Sequence, residues 1–585
     1  MKKYIYMLYV VLIALATSSC DDFINVNPSA IIDEDYAFSE PEKMVTSAYA
    51  MLGDDYHNYP FNLWPYGDVR SDDAYKGGGS TGDTDYHALD IFSSMTSTKP
   101  SLSDQIWYRL YVAISRCNKA LISLEDYGEA KLGAELTKER RAEVLFLRAH
   151  FYFKLLMLYK HVPWIDEKVV RNNLHEKTGN HEFTYEELMG KLIKDLEESY
   201  NTLDTYPKDK ARVSKTAAAC YIAKIALDLA YEQNKEHQVI GMNKDYLQKV
   251  IDYTDFVIGQ ANKYGYANDF GEVFMPDKRN GVESIFAVQH SLDDNTVFGR
   301  ANWGNILNAP WKLFACGWDF HKPSQNLVNA FKTKDGLPMF DTFNDDIWYP
   351  VADNVSDQKC DPRLFHTVAM VGFPYKYDTE VIYTYLNNRT PNTYGYYSSL
   401  KENVPVNSPY HTYKGSWQAI NQNDYVFRYA DVMLMRAEAL IELGKQDLAL
   451  PIINKIRNRA KQSIDMYIPY AKDYCEIVEY PSFPNQEFAR KALRWERRLE
   501  MAMESSRFFD LRRWGIAAET LNAFFEKEKD SKFTYTNDKG QTVTQTYVQY
   551  YKDAHFTKGV NEYMPIPNKQ MNYIPNLYEQ NPGYD

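Results

Sequence analysis

The residues best placed to do chemistry crowd into one early stretch, NLWPYGDVRSDDAYKGGGSTGDTDYHALD, residues 62–90. Asp72, Asp73, Asp83 and Asp85 could supply a glycosidase acid/base pair or the oxygen ligands of a calcium ion. Their spacing fits neither a catalytic carboxylate signature nor the alternating acids of an EF-hand loop. Solvated acids, or acids that accept from sugar hydroxyls, fit better. Gly77, Gly79 and Gly82 satisfy G-x-G-x-x-G. A dinucleotide loop needs a strand before it and a helix after it, and neither DDAYK nor DTDYH reads as such. Gly77-x4-Gly82 begins a phosphate-binding loop, but Asp83 stands where that loop needs its lysine. Gly78-x-Ser80-x-Gly82 matches a nucleophile elbow without the strand–turn–helix context that strains the serine. None of the 12 histidines belongs to H-E-x-x-H, and none of the six cysteines to C-x-x-C, so neither zinc nor another cofactor is expected.

What survives this inspection is aromatic. Aromatics make up 15% of the chain, with 48 tyrosines against 29 phenylalanines. A tyrosine joins a flat apolar face to a hydroxyl, which suits a wet binding surface as well as a packing layer. The segment NWGNILNAPWKLFACGWDFHKPSQ adds Trp303, Trp311 and Trp318. Flat rings with a negative face attract the C–H faces of a sugar, while Asp, Asn and Arg bond its hydroxyls. For a glycan ligand, which the family resemblance given below implies, the candidate contacts are Trp64, Tyr66, Asp73 and Tyr75 in the early stretch, with Trp303, Trp311 and Trp318 in the later one. Packing within the core is the competing role for each.

The elements that must position them are helical. ERRAEVLFLRAHFYFKLLMLY (139–159) repeats its apolar residues at three and four, the mark of a core-facing helix. SKTAAACYIAKIALDLAYEQ (214–233) is alanine-rich with Ser214 at its N-cap, and DYLQKVIDYTDFVIGQA (245–261) is a third helix. Residues 429–460 read as two amphipathic helices broken at Leu443-Gly444, with Ala437, Ala439 and Ala449 where helices press together. That is the size and pattern of a tetratricopeptide unit. From 262 to 424 the texture changes to Gly, Pro, Asn, Asp, Tyr and Trp, which reads as loops and short strands. Such long irregular stretches within a helical frame tend to carry function, and the aromatic content argues against disorder.

The N-terminus reads as a targeting segment. Lys2 and Lys3 precede an apolar run, Ile5 to Ala16, too short to span a bilayer. It ends in LATSSC, the pattern of a bacterial lipoprotein signal cleaved before Cys20, whose thiol and new amine would be acylated. The expected arrangement is a signal peptide over 1–19, a lipidated tether over 20–40 and a helical scaffold over 41–261, which contains the 62–90 loop. An irregular ligand-binding region over 262–424 and C-terminal helices over 425–585 complete it. The net charge of −13 argues against a nucleic-acid partner.

RWERRLEMAMESSRFFDLRRWG (494–515) interleaves arginines with acids, so it offers no single-sign face to nucleic acid. On one helix Glu496, Glu500 and Glu504 form a stripe with Arg507 three further on, and Trp495, Leu499 and Met503 form an apolar stripe beside it. This reads as a structural helix with a buried or half-buried ion-pair ladder. The same residues closely resemble the C-terminal signature of the SusD/RagB family, surface nutrient-binding lipoproteins of Bacteroidetes. ISRCNKAL (114–121), FLRAHFYFKLLMLYKHVPWI (146–165), RVSKTAAAC (212–220), VESIFAVQ (282–289), KPSQNLVNAF (322–331), DPRL (361–364), FRYADVMLMRAEAL (427–440) and YMPIPNKQMNYIPNLYEQNPGY (563–584) follow in the family's order. Ser505 departs from it, since the family usually carries Gly after the Glu; only a local change at the helix end is expected. The resemblance implies a mainly α fold of four tetratricopeptide-like helix pairs with an irregular region carrying the ligand site. It implies capture of a glycan, or in some members a peptide, without enzymatic chemistry, and delivery to a SusC-like TonB-dependent transporter in the outer membrane. A surface glycoside hydrolase is the rival reading.

Overall fold

The computed structural model describes residues 34–292, 294–295, 300–536 and 541–584; Cys20 and the signal-like segment lie outside them. Among the described residues, nine principal helices form the frame. They are α1 (Pro41–Ala50), α2 (Leu102–Ser123), α3 (Ala134–Tyr159), α4 (Tyr185–Thr202), α5 (Lys215–Ala230), α6 (Lys244–Ile258), α7 (Tyr429–Glu442), α8 (Gln446–Gln462) and α9 (Gln486–Met501). Each packs against the one before it, so the chain stacks helix upon helix in sequence order. Local chemistry sets the starts. Thr184 and Glu187 form a reciprocal capping box on α4, and Ser214 accepts from the Ala217 amide at 3.2 Å, the N-cap expected for α5. The α7–α8 turn falls at Leu443-Gly444, where Gly444 takes φ +74°. Ala437, Ala439 and Ala449 are fully buried where the helices close on one another.

The irregular region is an insertion between two helices, α6 and α7, that touch each other. The chain leaves through β2 (Ser284–Val288) and returns through β6 (Asp424–Arg428), and these strands pair antiparallel, with Val288 opposite Asp424 and Ser284 opposite Arg428. Between them lie β3 (Phe320–Pro323) and a hairpin of β4 (His411–Lys414) and β5 (Trp417–Ile420). The early stretch is more ordered than its composition suggests. It holds a π-helical turn at Pro65–Val69, strand β1 (Ala74–Gly77) and a helix at Thr84–Ile91. β1 pairs antiparallel with β3, Ala74 opposite Pro323 and Gly77 opposite Phe320, so the two loop regions of the sequence are stitched into one body.

A strand and a helix therefore do flank the glycine motifs, contrary to the sequence reading. They do not make a phosphate cradle, because the Gly79 amide already donates to Asp83 Oδ2 at 3.1 Å. Ser80 does adopt φ +68°, but no histidine among the described residues hydrogen-bonds to it.

The 494–515 stretch is scaffold, though not one helix. α9 ends at Met501, Met503 and Ser505 take φ +61° and +65°, and a second helix runs Arg507–Arg513. The break redirects the charges. Glu500 meets Arg428 at 2.7 Å, Arg363 at 3.0 Å and Arg459. Glu496 meets Arg363 at 2.6 Å and Arg457 at 3.1 Å, and Glu504 meets Arg428 and Lys401, each at 2.7 Å. Arg507 instead points to Asp72 of the early stretch, at 2.8 Å. The Glu496 and Glu500 pairs are buried and those of Glu504 and Arg507 partly so, and they tie the inserted region (Arg363, Lys401) and its returning strand (Arg428) to α9 and the turn after it. Ser505 explains the family's glycine, since its backbone lies where an L-residue is strained. Its carbonyl would lie 1.9 Å from a Cβ placed on Gly67, so the π-helical turn can approach only because residue 67 lacks a side chain.

Candidate functional site

Four of the expected ligand contacts are inside the protein. Trp64, Tyr66, Asp73 and Tyr75 expose 1% or less of their surface. Trp64 stacks on Tyr86 with centroids 5.4 Å apart and planes at 8°, and its indole donates to the Gly304 carbonyl at 3.0 Å. Tyr75 donates to Glu528 Oε2 at 2.5 Å and accepts from the Gln325 amide at 2.9 Å. Asp73 is held by Arg498 at 2.8 Å. Burial pushes its carboxyl up to about 6 even with Arg498 beside it. Burial also works to raise Asp72, but Arg498 and Arg507 outweigh it and hold Asp72 at about 2. Burial raises the Tyr66 phenol above its ordinary value. A side chain with no exposed face cannot stack on a sugar, so these four support the site rather than line it.

The three later tryptophans are half-buried at the surface. Trp318 lines a cleft of about 390 Å³ together with Trp417, His57, Asn58, Asp83, Asp85, Tyr86, Phe320 and Arg389. That is enough volume for part of an oligosaccharide. The aromatics are held in a connected set. The Trp318 indole donates to the Ser416 carbonyl at 2.9 Å, which fastens it to the turn carrying Trp417. Tyr56 bridges Trp303 and Trp417, with centroids 5.9 Å from each. The Arg389 guanidinium lies 4.7 Å from the Trp318 ring and 5.4 Å from the Trp311 ring, so one cation orders both. Trp303 and Trp311 thus border the cleft through Tyr56 and Arg389.

Behind the rings stands the early stretch. Tyr86 forms cleft wall because Trp64 stacks behind it, and its hydroxyl donates to the His57 carbonyl at 2.6 Å. Burial lowers His57 to about 4, so its imidazole is neutral at physiological pH. Lys76 is lowered to about 8, mainly by burial, although Asp83 (3.4 Å) and Asp90 favour its charge. The cleft therefore presents flat rings, a guanidinium, an amide and two carboxylates, a mixture able to stack on C–H faces and bond hydroxyls.

Sequence reasoning missed Trp417, Tyr56 and Arg389. Trp417 carried a signal, since KGSW is a tight turn with Gly415 at φ +63° followed at once by an aromatic. Nothing local marked Arg389. A second cavity, of about 150 Å³, lies inside the frame against Asp55, Lys154, Asp424, Arg428 and Glu504. It is closer in size to a few waters than to a glycan.

A helical stack bearing an aromatic cleft is suited to holding a ligand, and comparison with known proteins gives the family. The SusD family model matches residues 282–584, and a model described as starch-binding associating with outer membrane matches residues 22–227. The chain belongs to the SusD family. It is 25% identical over 551 residues to SusD-like protein P25 of Formosa agariphila, covering 88% of this chain and 90% of that one. A SusD-like protein from Bacteroides fragilis superposes with a TM-score of 0.69 at 20% identity over 94% of this chain and 99% of that one. Surface glycan-binding protein A of Bacteroides thetaiotaomicron, solved in complex with laminarihexaose, gives a TM-score of 0.59 at 18% identity over 92% and 98%. Carbohydrate binding and outer-membrane association are thus properties of the family to which this chain belongs.

Proposed function

We propose that this protein captures an oligosaccharide or polysaccharide at the cell surface, does no chemistry on it and passes it to a SusC-like TonB-dependent transporter. In this reading it is a lipoprotein held in the outer membrane through acylated Cys20. The observation that carries it is the cleft formed by Trp318, Trp417 and Arg389, where rings from two separate loops are fixed in place before any ligand arrives. Rigid aromatic anchors of this kind bind at low entropic cost. Asp83 and Asp85 suit hydroxyl recognition, since Asp83 already accepts from Gly79 and Lys76 and Asp85 from Ser101.

Calorimetry with laminarihexaose, followed by a panel of glycans and peptides, tests the reading. Binding of a glycan that weakens by about 1–3 kcal/mol in Trp318→Ala supports it. Selective binding of a peptide through the same residues would replace glycan with peptide as the ligand. Shorter products after overnight incubation, lost in Asp83→Asn, would establish a hydrolase instead.

A further inference from the structure

Cys360 and Cys475 lie in separate parts of the sequence that meet only in the fold. Cys360 ends a two-residue strand, Lys359–Cys360, which pairs with Lys332–Lys334 inside the inserted region. Cys475 follows a 3-10 turn, Pro469–Tyr474, between α8 and α9. The two cysteines are direct partners in a parallel β-bridge. The Glu476 amide donates to the Cys360 carbonyl at 3.0 Å. Thr333 Oγ1 donates to the Glu476 carbonyl at 2.9 Å, and Lys359 Nζ to the Asp473 carbonyl at 2.8 Å, so the pairing is fastened on both flanks. The Cys360 thiol also reaches the Tyr474 carbonyl at 3.5 Å. Direct bridge partners have their Cα atoms within the span a disulfide allows. Cys117 and Cys220 are buried in α2 and α5, and Cys316 has no such partner among the described residues.

We propose that Cys360 and Cys475 form a disulfide in the mature protein, a covalent clasp between the inserted ligand-binding region and the C-terminal helices. The inference rests on the proposed export of the chain, because disulfides persist in oxidising compartments. The oxidant is a disulfide-carrying thiol oxidoreductase. The Cys475 thiolate, the more exposed of the two, attacks one sulfur of that disulfide, forms a mixed disulfide and releases the oxidoreductase's other sulfur as a thiolate. The Cys360 thiolate then attacks Cys475 Sγ and expels the second sulfur. The Cys360–Cys475 bond has formed, the oxidoreductase is reduced to a dithiol, and the two protons and two electrons of the cysteines have gone to it. Cys360 is fully buried in the folded chain, so this exchange belongs to folding. The clasp closes the chain between residues 360 and 475. It also fixes the strand leading into Arg363, which pairs with Asp361 and anchors the insertion to Glu496 and Glu500.

The test has two arms. Full-length protein is taken from the outer-membrane fraction of expressing cells, alkylated under denaturing, non-reducing conditions, and peptide-mapped. The expected result is a single cross-linked species joining the Cys360 and Cys475 peptides, with Cys117, Cys220 and Cys316 alkylated. Separately, purified protein is denatured, reduced and refolded in a glutathione redox buffer. There the same cross-link should form, and dithiothreitol should lower the melting temperature of the parent by about 2–5 °C but leave Cys475→Ser unmoved. If the pair stays reduced in both arms, the geometry does not support the bond and the proposal fails. If it forms on refolding but both thiols are alkylated in protein from cells, the proposal fails through the export reading instead.

Discussion

At the scale of single residues, two tryptophans 99 positions apart, Trp318 and Trp417, act together because the indole of one donates to the turn carrying the other. Each presents a ring to the cleft and neither sits under the helical frame. Trp318→Ala and Trp417→Ala should each weaken glycan binding by about 1–3 kcal/mol while thermal unfolding barely moves. Trp64→Ala should do the reverse. It opens a hole behind Tyr86 and strands the Gly304 carbonyl, so a loss of about 3–5 kcal/mol in stability is expected, with affinity falling only as far as Tyr86 shifts. Calorimetry and thermal melts on the three variants separate the roles; a Trp64→Ala protein that melts like the parent would remove the packing assignment. Residue types alone showed that aromatics in two loops mattered, but not which were sealed. Tyr75 is covered by Glu528, 453 residues along the chain, and no local pattern encodes a partner that far away.

At the scale of elements, α9 and the turn after it are where the inserted region is clamped. Burial alone would raise the Glu500 carboxyl, but Arg459, Arg428 and Arg363 hold it well below its ordinary value of 4.5. A group depressed in the folded state stabilises fully above its unfolded value, and that contribution drains away as pH falls through the folded one. Glu500→Gln should therefore cost on the order of 3 kcal/mol at neutral pH, and the gap from the parent should narrow below about pH 4.5. A constant gap across an acid titration of stability would refute the assignment. His321 gives the opposite limb. Burial lowers it, but Glu402 at 2.9 Å and Asp68 at 3.0 Å raise it to about 10 from 6.5. Its contribution is complete below about pH 6.5 and is lost as pH rises toward 10, so His321→Gln should flatten stability over that window. Ser505→Gly should stabilise by about 0.5–1 kcal/mol by relieving a left-handed backbone at φ +65°, whereas Gly67→Ala should unfold the π-helical turn against it. The ladder of alternating charge was legible in 494–515, but its break at Met501 was not. Nothing in EMAMESSR marks a helix stop when the family's glycine is replaced by Ser505.

At the scale of the whole molecule, the frame was the most legible part, because helical periodicity, Ser214 as a cap and the Leu443-Gly444 break are all local signals. The insertion was legible as a change of texture, but its attachment by one antiparallel ribbon was not, since β2 and β6 are far apart in sequence and become neighbours only when α6 meets α7. That construction separates two tasks. The helical stack carries the insertion, the insertion and the early stretch together form the cleft, and the proposed anchor, Cys20, lies outside the described residues. Anchoring and capture should then be lost independently. In cells lacking the proposed transporter, Cys20→Ala should move the protein from washed membranes to the soluble fraction, while the purified variant binds laminarihexaose as tightly as the parent. Trp318→Ala combined with Trp417→Ala should stay in the membrane fraction and lose that binding by a factor of at least ten, about 1.4 kcal/mol. Fractionation and calorimetry on the two variants decide the matter. A Cys20→Ala protein retained on washed membranes would place the anchor elsewhere in the chain. A cleft variant that binds as the parent does would move the ligand site away from the hairpin.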